Sequence, residues 1–272
     1  MDSSRDLVYP WIWLLTDYGR RDGFVASCRG VIARIAPAAR VEDITHDVPA
    51  QDIRHGAAVL AQTVRYLPRS IVVGVVDPGV GTPRRAIAIV AGEIVLVGPD
   101  NGLLLWAGDA VGGASAAFEI ADPSYVVNVS SRTFAGRDVF APAAAHLAIG
   151  VAPAALGPAL PVEELIRLPV PRVESHQGVL DVEVLSVDRF GNVQLSATLT
   201  DLTVAGLGSG VVQVGVPDQS YVATVGAAFA DVPLGDVVLL VDSAGHVALA
   251  VNGGDAATMM DLRPGDGVIL NR

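Results

Sequence analysis

The first half of the chain alternates short, continuously hydrophobic runs with longer runs of helical periodicity. WIWLLTD at 11–17 and SIVVGVVDPGVG at 70–81 are predicted to be buried strands that end in polar turns. FVASCRGVIARIAP at 24–37, RHGAAVLAQTVRYLP at 54–68 and APAAAHLAIG at 141–150 are predicted to be helices. Hydrophobic strands that alternate with helices are typical of an α/β domain with a mostly parallel sheet.

The pattern changes around residues 151–175, where the chain is rich in proline and keeps no stable period, as in a linker. Beyond it, short β-branched runs such as VLDVEVLSVD, GVVQVGV and DVVLLVD are separated by glycine and aspartate turns, which indicates a small antiparallel barrel or sandwich. We predict two domains: a sandwich-type α/β domain with a mostly parallel sheet over residues 1–168, and a smaller antiparallel β-barrel domain over residues 169–272.

The composition indicates a folded protein with an acidic surface. Of the 272 residues, 51% are hydrophobic and only 17% are charged, so the chain can bury a sizeable core. The formal net charge is −11, which argues against the basic patches that nucleic-acid phosphates or an anionic membrane surface require. The sequence therefore predicts no nucleic-acid and no membrane partner. The acidity suits a cationic small molecule or serves only solubility.

Two residue types narrow the chemistry further. All 18 basic residues are arginine, so the chain has no Schiff-base lysine, no pyridoxal anchor and no phosphate-loop lysine. The single cysteine, Cys28, allows neither an intrachain disulfide nor a cysteine-rich metal site. No stretch gives the ~20 uninterrupted apolar residues of a membrane span. We expect a soluble, cytoplasmic protein.

Polar residues gather where the predicted strands end, which is where ligands bind in open α/β sheets. The first domain carries TDYGRRDG at 16–23, DPGVGTPRR at 77–85 and GPDNG at 98–102, and the second carries SVDRFGN at 186–192. Each is also an ordinary turn sequence, and GPDNG alone favours a structural role. The five histidines show no metal-ligand spacing, and the glycines of DPGVG do not have the spacing of a dinucleotide fingerprint.

Taken in order, these motifs form a specific set. TDYG, VVDPGVGTPRR, GPDNGLL, TFAGRDVFAPAAAHLA, VDRFGN and DSAG…AVN follow one another over essentially the whole chain. The set closely resembles the S-adenosylmethionine (SAM) hydroxide adenosyltransferases, the adenosine-forming SAM hydrolases, which are related to the SAM-dependent fluorinase and chlorinase. The resemblance implies hydrolysis of SAM to adenosine and methionine by in-line attack of a water-derived nucleophile on the ribose 5′ carbon. It implies no metal and no redox cofactor.

The resemblance also implies which residues handle the water. The family's Asp–Arg–His set matches Asp77 and Arg84, but its histidine, in TFHGRD, is Ala135 in this chain. Asp77 would accept a proton from the water or orient it, and Arg84 would keep that carboxylate ionised. Alanine has no donor, acceptor or proton to give, so we expect slower turnover. We interpret Ala135 as a deliberate substitution that disables the enzyme; natural drift is the alternative.

Substrate contacts follow from the same motifs. Asp17 matches the carboxylate that accepts both ribose hydroxyls, and Phe190 matches the ring that stacks on adenine. The other matched positions are two carboxylates for the methionine ammonium, a hydroxyl for its carboxylate and two amides for adenine, namely Asp22, Asp188, Ser243, Asn192 and Asn252. The chain departs from its relatives at Gln51, where they often have an aromatic residue, and at Ala244, where they have an arginine.

The resemblance implies a homotrimer with the site between the first domain of one subunit and the second domain of the next. Three other functions stay open at this point. A catalytically silent SAM- or adenosine-binding protein would explain Ala135. A halide-using adenosyl transferase is disfavoured by Asp77, because the halogenases lack this aspartate. A protein–protein adaptor would leave the ordered polar motifs unexplained.

Overall fold

The computed structural model describes residues 7–127, 132–217 and 219–272. The chain divides into two compact units, Met1–Leu168 and Pro169–Arg272. The division falls inside the proline-rich stretch, where the sequence carries neither helical nor strand periodicity. Each unit encloses hydrophobic cores of its own, and the two are described separately.

A seven-stranded sheet forms the centre of the first unit. Its strands are β1 (Trp11–Thr16), β2 (Arg40–Thr45), β3 (Ser70–Val75), β4 (Ala86–Ala91), β5 (Ile94–Pro99), β6 (Ala116–Glu119) and β7 (Ala159–Leu160). They lie in the order β2-β1-β3-β5-β4-β6-β7, in which β2, β1, β3 and β5 run parallel and the last three strands pair antiparallel. Every residue of β3 and β5 is buried, which explains their continuous hydrophobic sequences.

Helices cover both faces of this sheet. They are α1 (Phe24–Ile35), α2 (Ile53–Val64), α3 (Leu105–Ala110) and α4 (Ala141–Ala148). Helices α1 and α4 contribute to the hydrophobic core on one face, and α2 and α3 to the core on the other. A five-residue π-helix, Gly136–Phe140, leads directly into α4. The unit is therefore the three-layer α/β structure that the alternating pattern predicts.

A closed β-barrel forms the second unit. Its elements are β8 (Val173–His176), β9 (Val179–Val187), β10 (Val193–Thr198), α5 (Leu199–Val204), β11 (Val211–Val216), β12 (Gln219–Val225), β13 (Val237–Val241), β14 (His246–Val251), α6 (Ala256–Met260) and β15 (Gly267–Asn271). Seven strands close the barrel in the order β10-β14-β13-β12-β11-β15-β9, because β9 also pairs with β10, and β8 lies outside on β9. The predicted fold class, α/β followed by a β-barrel, is confirmed.

The structure differs from the sequence prediction in two respects. The barrel is not wholly antiparallel, because β12 and β13 run parallel; residues 226–236 carry the chain back before β13 begins. The sequence pattern also does not predict several short or polar elements, whose hydrophobic period is obscured: β2, β6, β7 and α3 in the first unit, and β8, β12, α5 and α6 in the second. No helix within the described ranges is long and apolar enough to cross a membrane.

Candidate active site

The polar islands of the first unit meet at one edge of its sheet. Thr16, the last residue of β1, is in register with Val75, the last residue of β3, and β5 runs parallel to β3 and ends at Pro99. The segments that follow these three strands therefore leave the sheet at the same edge. Asp17 follows β1 directly, Asp77 comes two residues after β3, and residues 100–102 follow β5.

A cavity of about 240 Å³ opens at this edge. Its walls come from the turns after β1 and β3, from residue 51 before α2 and from the segment that enters the π-helix. The lining residues are Asp17, Tyr18, Phe24, Gln51, Asp77, Pro78, Val80, Thr133, Phe134, Ala135 and Gly136. A concave site that combines aromatic walls with two carboxylates is a candidate binding pocket.

Asp77, which lines this cavity, forms a bidentate ion pair with Arg84. Arg84 Nε donates to Asp77 Oδ1 at 2.9 Å, and Arg84 Nη2 donates to Oδ2 at 2.5 Å. The side chains are only 6% exposed for Asp77 and 15% for Arg84. The guanidinium also lies over the Phe140 ring, 5.2 Å from its centroid. Two donors in a rigid fork fix the plane of the carboxylate, so Asp77 presents a defined geometry to the cavity.

The turn after β1 is held in place by the buried His46. Thr16 Oγ1 accepts from the backbone N–H of Tyr18 at 3.2 Å and contacts His46 Nδ1 at 2.8 Å. His46 is 1% exposed, and its carbonyl accepts from Gly19 N at 2.8 Å. Its other ring nitrogen, Nε2, lies 2.9 Å from Asp43 Oδ1. These contacts fix the turn that brings Asp17 and Tyr18 to the cavity.

Asp43 completes this buried network. Partial burial raises the pKa of its carboxyl, but hydrogen bonds from His46 and Arg29 outweigh that effect, and the pKa falls below its usual value. The carboxylate therefore stays ionised beside the buried His46 ring.

Asp17 is also fixed by Gln51, a residue with a strained backbone. Its Oδ2 accepts from the backbone N–H of Gln51 at 2.9 Å. Gln51 adopts φ 66°, a left-handed conformation that is uncommon for a residue with a side chain. Backbone strain at a pocket wall is typical of a functional site, where the surrounding structure holds an unfavourable geometry.

Three aromatic rings form one wall of the cavity. Phe24 and Phe134 lie edge to face at 5.1 Å, and Tyr18 packs against both rings at 5.8 and 5.6 Å. Burial, together with the negative charges nearby, raises the pKa of Tyr18 well above its usual value, so its phenol stays neutral. Gly136 makes room for it, since a Cβ there would lie 2.2 Å from the Tyr18 hydroxyl oxygen.

Ala135 lies half-buried immediately before the π-helix, between two cavities. It lines the cavity described above and also a second one of about 500 Å³, whose walls include Arg84, Glu119 and Arg132. Open space therefore lies next to this small side chain on two sides.

Arg137 and Asp138, the charged pair after Ala135, bind each other rather than a partner in the first cavity. Arg137 Nε and Nη2 donate to the two carboxylate oxygens of Asp138 at 2.6 and 2.8 Å. The guanidinium lies over the Phe134 ring, 5.0 Å from its centroid. Neither residue lines the first cavity, and the pair contacts the aromatic wall only through the Phe134 ring.

Asp22 is the predicted site residue of this unit that the structure does not bring to the cavity. It is exposed in the turn before α1, whereas Asp17, Asp77 and Ala135 line the cavity and Arg84 binds Asp77 there. Sequence reasoning did not identify Tyr18, Phe24 and Phe134 as part of the wall. TDYG contains the tyrosine, but nothing in the sequence shows that the three rings meet.

In the second unit, the predicted residues of 186–192 form one self-contained turn. Asp188 Oδ1 accepts from the backbone N–H groups of Phe190 and Asn192 at 2.8 and 2.9 Å, and Oδ2 accepts from Asn192 Nδ2 at 2.7 Å. The Phe190 ring is 69% exposed. The carboxylate thus shapes the turn that presents this ring.

The other two predicted residues of the second unit lie on separate turns. Ser243 is exposed in the turn between β13 and β14, which Asp242 holds by accepting from Ala244 N and His246 N at 2.8 and 3.0 Å. Asn252 follows β14, and its side-chain Nδ2 donates to the Val232 carbonyl at 2.7 Å. One donor of the Asn252 amide is therefore already bound to the backbone. In the part of the chain that the structure covers, no three histidine, cysteine or carboxylate side chains are grouped to hold a metal ion.

Cys28 is predicted to be unreactive in the folded protein. It is 6% exposed, and burial raises the pKa of its thiol to about 12, so the nucleophilic thiolate is scarce at neutral pH. Titration with a thiol-specific chromogenic disulfide should release no colour from the native protein and one equivalent after denaturation. Rapid labelling of the native protein would contradict the burial of Cys28.

The fold and the site define a two-unit α/β and β-barrel protein with a carboxylate–guanidinium pair at a cavity. Residues 12–157 match the SAM hydroxide adenosyltransferase N-terminal domain, and residues 182–269 match the C-terminal domain of the same family. The chain belongs to the SAM hydroxide adenosyltransferase family. The resemblance inferred from the ordered motifs is therefore confirmed.

Individual relatives agree with this assignment. The chain is 53% identical over 261 residues to the (R)-S-adenosyl-L-methionine hydrolase of Salinispora arenicola, covering 94% of this chain and 96% of the relative. It is 27% identical over 291 residues to a fluorinase of Actinoplanes sp., covering 94% and 95%. A crystal structure of an uncharacterized conserved protein from Thermotoga maritima aligns with a TM-score of 0.90 at 34% identity, covering 96% of this chain and all of that one.

Proposed function

We propose that this chain hydrolyses SAM to adenosine and methionine, with the attacking water held at the Asp77–Arg84 pair. The observation that carries the proposal is that Asp17, Asp77 and Ala135, three motif positions distant in sequence, line one cavity in a member of this family. The name of the 53% identical relative specifies (R)-S-adenosyl-L-methionine, and we take the same form as the substrate.

The reaction needs a positioned nucleophile more than it needs acid catalysis. Methionine leaves the sulfonium as a neutral thioether, so no group has to protonate it. The oxygen–carbon bond forms at the ribose 5′ carbon as the carbon–sulfur bond breaks, and one proton is released. Holding water and carbon in line provides most of the acceleration. As the water loses its proton, its oxygen gains hydroxide character, and low polarity around it favours a step in which this negative charge and the positive charge of the sulfonium cancel.

The residues of the first unit are suited to these tasks. The Asp77 carboxylate accepts a hydrogen bond from the water and orients its lone pair, while Arg84 keeps the carboxylate in place. Asp17 receives the ribose hydroxyls, a role for which its contact with Gln51 N orients the carboxylate. The aromatic wall of Tyr18, Phe24 and Phe134 limits bulk water at the reacting carbon.

The remaining assignments concern the rest of the substrate and the assembly. Phe190 stacks on adenine, and Asn192 and Asn252 hydrogen-bond its edge. Polar groups for the methionine end are Asp22, Asp188 and Ser243. We further propose that the reaction uses no cofactor, that the protein works in the cytoplasm, and that it is a homotrimer, which light scattering on the purified protein tests directly.

Incubation with (R)-SAM in ¹⁸O-labelled water tests the function. We expect adenosine that carries one ¹⁸O at its 5′ hydroxyl, together with unlabelled methionine, and much less product from the other sulfonium epimer. Added chloride or fluoride should give no 5′-halo nucleoside. Tight binding of SAM without adenosine on prolonged incubation would instead identify a silent binding protein, and a halide-dependent product would identify a transferase.

A further inference from the structure

GPDNG, the polar island at 98–102, has no role in the proposed function. We infer that Asp100 and Asn101 are positioning residues for the proposed hydrolysis, because they clamp the two ends of the 77–84 loop that carries the Asp77–Arg84 pair. The kinetic part of this inference rests on the proposed function; the structural part does not.

The 77–84 loop has little structure of its own to keep the pair in place. Its hydrogen bonds are local: Val80 N donates to the Asp77 carbonyl at 3.1 Å, and the Gly79 carbonyl accepts from Thr82 N and Thr82 Oγ1 at 3.1 and 2.6 Å. Residues 80–83 are exposed. A loop of short turns with an exposed tip depends on its ends for a fixed geometry.

Asn101 holds the entry to the loop. Its Nδ2 donates to the Val76 carbonyl at 2.8 Å, and its Oδ1 accepts from Leu103 N at 3.2 Å. Val76 is 0% exposed, and its carbonyl belongs to the peptide group that leads into Asp77. The side chain thus connects the turn after β5 directly to the backbone from which the Asp77 carboxylate projects.

Asp100 holds the exit. Its buried carboxylate, in a residue 2% exposed, accepts from Arg85 Nε at 2.8 Å, and its backbone N–H donates to the Arg85 carbonyl at 3.0 Å. That carbonyl also accepts from Arg84 Nη1 at 3.2 Å. The Arg84 guanidinium therefore binds Asp77 with one edge and the clamped backbone with another.

Asp100 and its partner Arg85 are also bonded to the segment at residues 164–166. Asp100 Oδ1 accepts from Ile166 N at 2.9 Å, and Arg85 Nη2 donates to the Glu164 carbonyl at 2.8 Å. The Asp100 carboxylate thus joins the turn after β5 to Arg85 and to Ile166, and Arg85 adds a second bond to the same 164–166 segment. A displacement of ~1 Å at a reacting group can cost about 100-fold in rate, so fixing both ends of this loop bears directly on catalysis.

Single substitutions separate positioning from general support of the fold. We expect Asp100→Asn and Asn101→Ala each to lower kcat for SAM hydrolysis by ~10–100-fold while KM stays within ~3-fold, because neither residue contacts the substrate. Asp109→Asn is the matched control: it makes the same chemical change in the same unit, at an ion pair with Arg167 whose side chains are 51% and 50% exposed. Its kinetics should equal those of the parent.

A readout on Arg84 tests the clamp without any turnover. The Arg84 Nε–H, which donates to Asp77, should give a slowly exchanging ¹⁵N–¹H signal in the parent and in Asp109→Asn, and a rapidly exchanging one in the two clamp variants. Should Asn101→Ala fail to fold, Asn101→Asp keeps the acceptor for Leu103 N, loses the donor to Val76 and should give the same result.

Unchanged Arg84 exchange in the clamp variants would overturn the inference, as would a KM that rises as much as kcat falls. If the parent itself does not hydrolyse SAM, the proposed function fails, but the exchange of Arg84 Nε–H still decides whether Asp100 and Asn101 hold the loop.

Discussion

Asp77→Asn lowers kcat for SAM hydrolysis at least ~100-fold and leaves KM within ~3-fold of the parent. The amide is nearly isosteric with the carboxylate but carries no charge, and half of it is a donor that faces the donors of Arg84. The fork in which Nε and Nη2 each meet an oxygen at 2.9 and 2.5 Å is therefore lost. A water at this position loses its acceptor, whereas the other substrate contacts proposed above are untouched.

The same substitution leaves the Arg84 guanidinium, whose side chain is 15% exposed, without its counter-charge. Removing one partner of a buried pair costs about 3 kcal/mol, so the variant should unfold at a lower denaturant concentration. Kinetics must therefore be measured where circular dichroism shows the variant to be folded. Asp109→Asn again controls for the loss of one negative charge. A kcat equal to that of the parent would remove Asp77 from the mechanism and with it the proposed position of the water.

Much of the fold could be predicted because its hydrophobic runs are continuous. Strands β1 and β3 are interior strands of the parallel part of the sheet; β3 is wholly buried and β1 is largely buried, and both read as continuous hydrophobic runs bounded by polar turns. β2 was not predicted, since its sequence RVEDIT has only two hydrophobic residues, and the adjacent Glu42 and Asp43 break the alternation that would indicate a strand. The parallel pairing of β12 with β13 depends on how the chain returns after β12, which local propensity does not encode.

The candidate site could be predicted in part for a related reason. Parallel strands bring their carboxyl ends to one edge, so the motifs after β1, β3 and β5 had to meet there. The sequence does not show which side chains contact one another at this edge. The aromatic wall joins Tyr18 to Phe134 across more than a hundred residues, and the clamp on the 77–84 loop lies within GPDNG, which as a sequence is an ordinary turn.

Ala135→His raises the rate of SAM hydrolysis by ~10²–10⁴-fold. The site accepts a larger side chain, because Ala135 lines two cavities and its backbone is in the ordinary helical region, at φ −60° and ψ −29°. An imidazole there would lie at the cavity that Asp77 also lines and could accept the proton released by the water. Turnover of the variant beside the parent checks this, and equal rates would show that position 135 is catalytically idle.

Two comparisons separate proton transfer from simple filling of space. Ala135→Gln introduces a polar side chain that does not titrate, so it should recover little of the gain. With Ala135→His, the rate should fall as the pH drops below ~6.5, because the protonated imidazole cannot accept a proton. If imidazole and carboxylate act on the same water, Asp77→Asn should cost more in the Ala135→His background than in the parent. Independent effects of the two substitutions would place them on different steps.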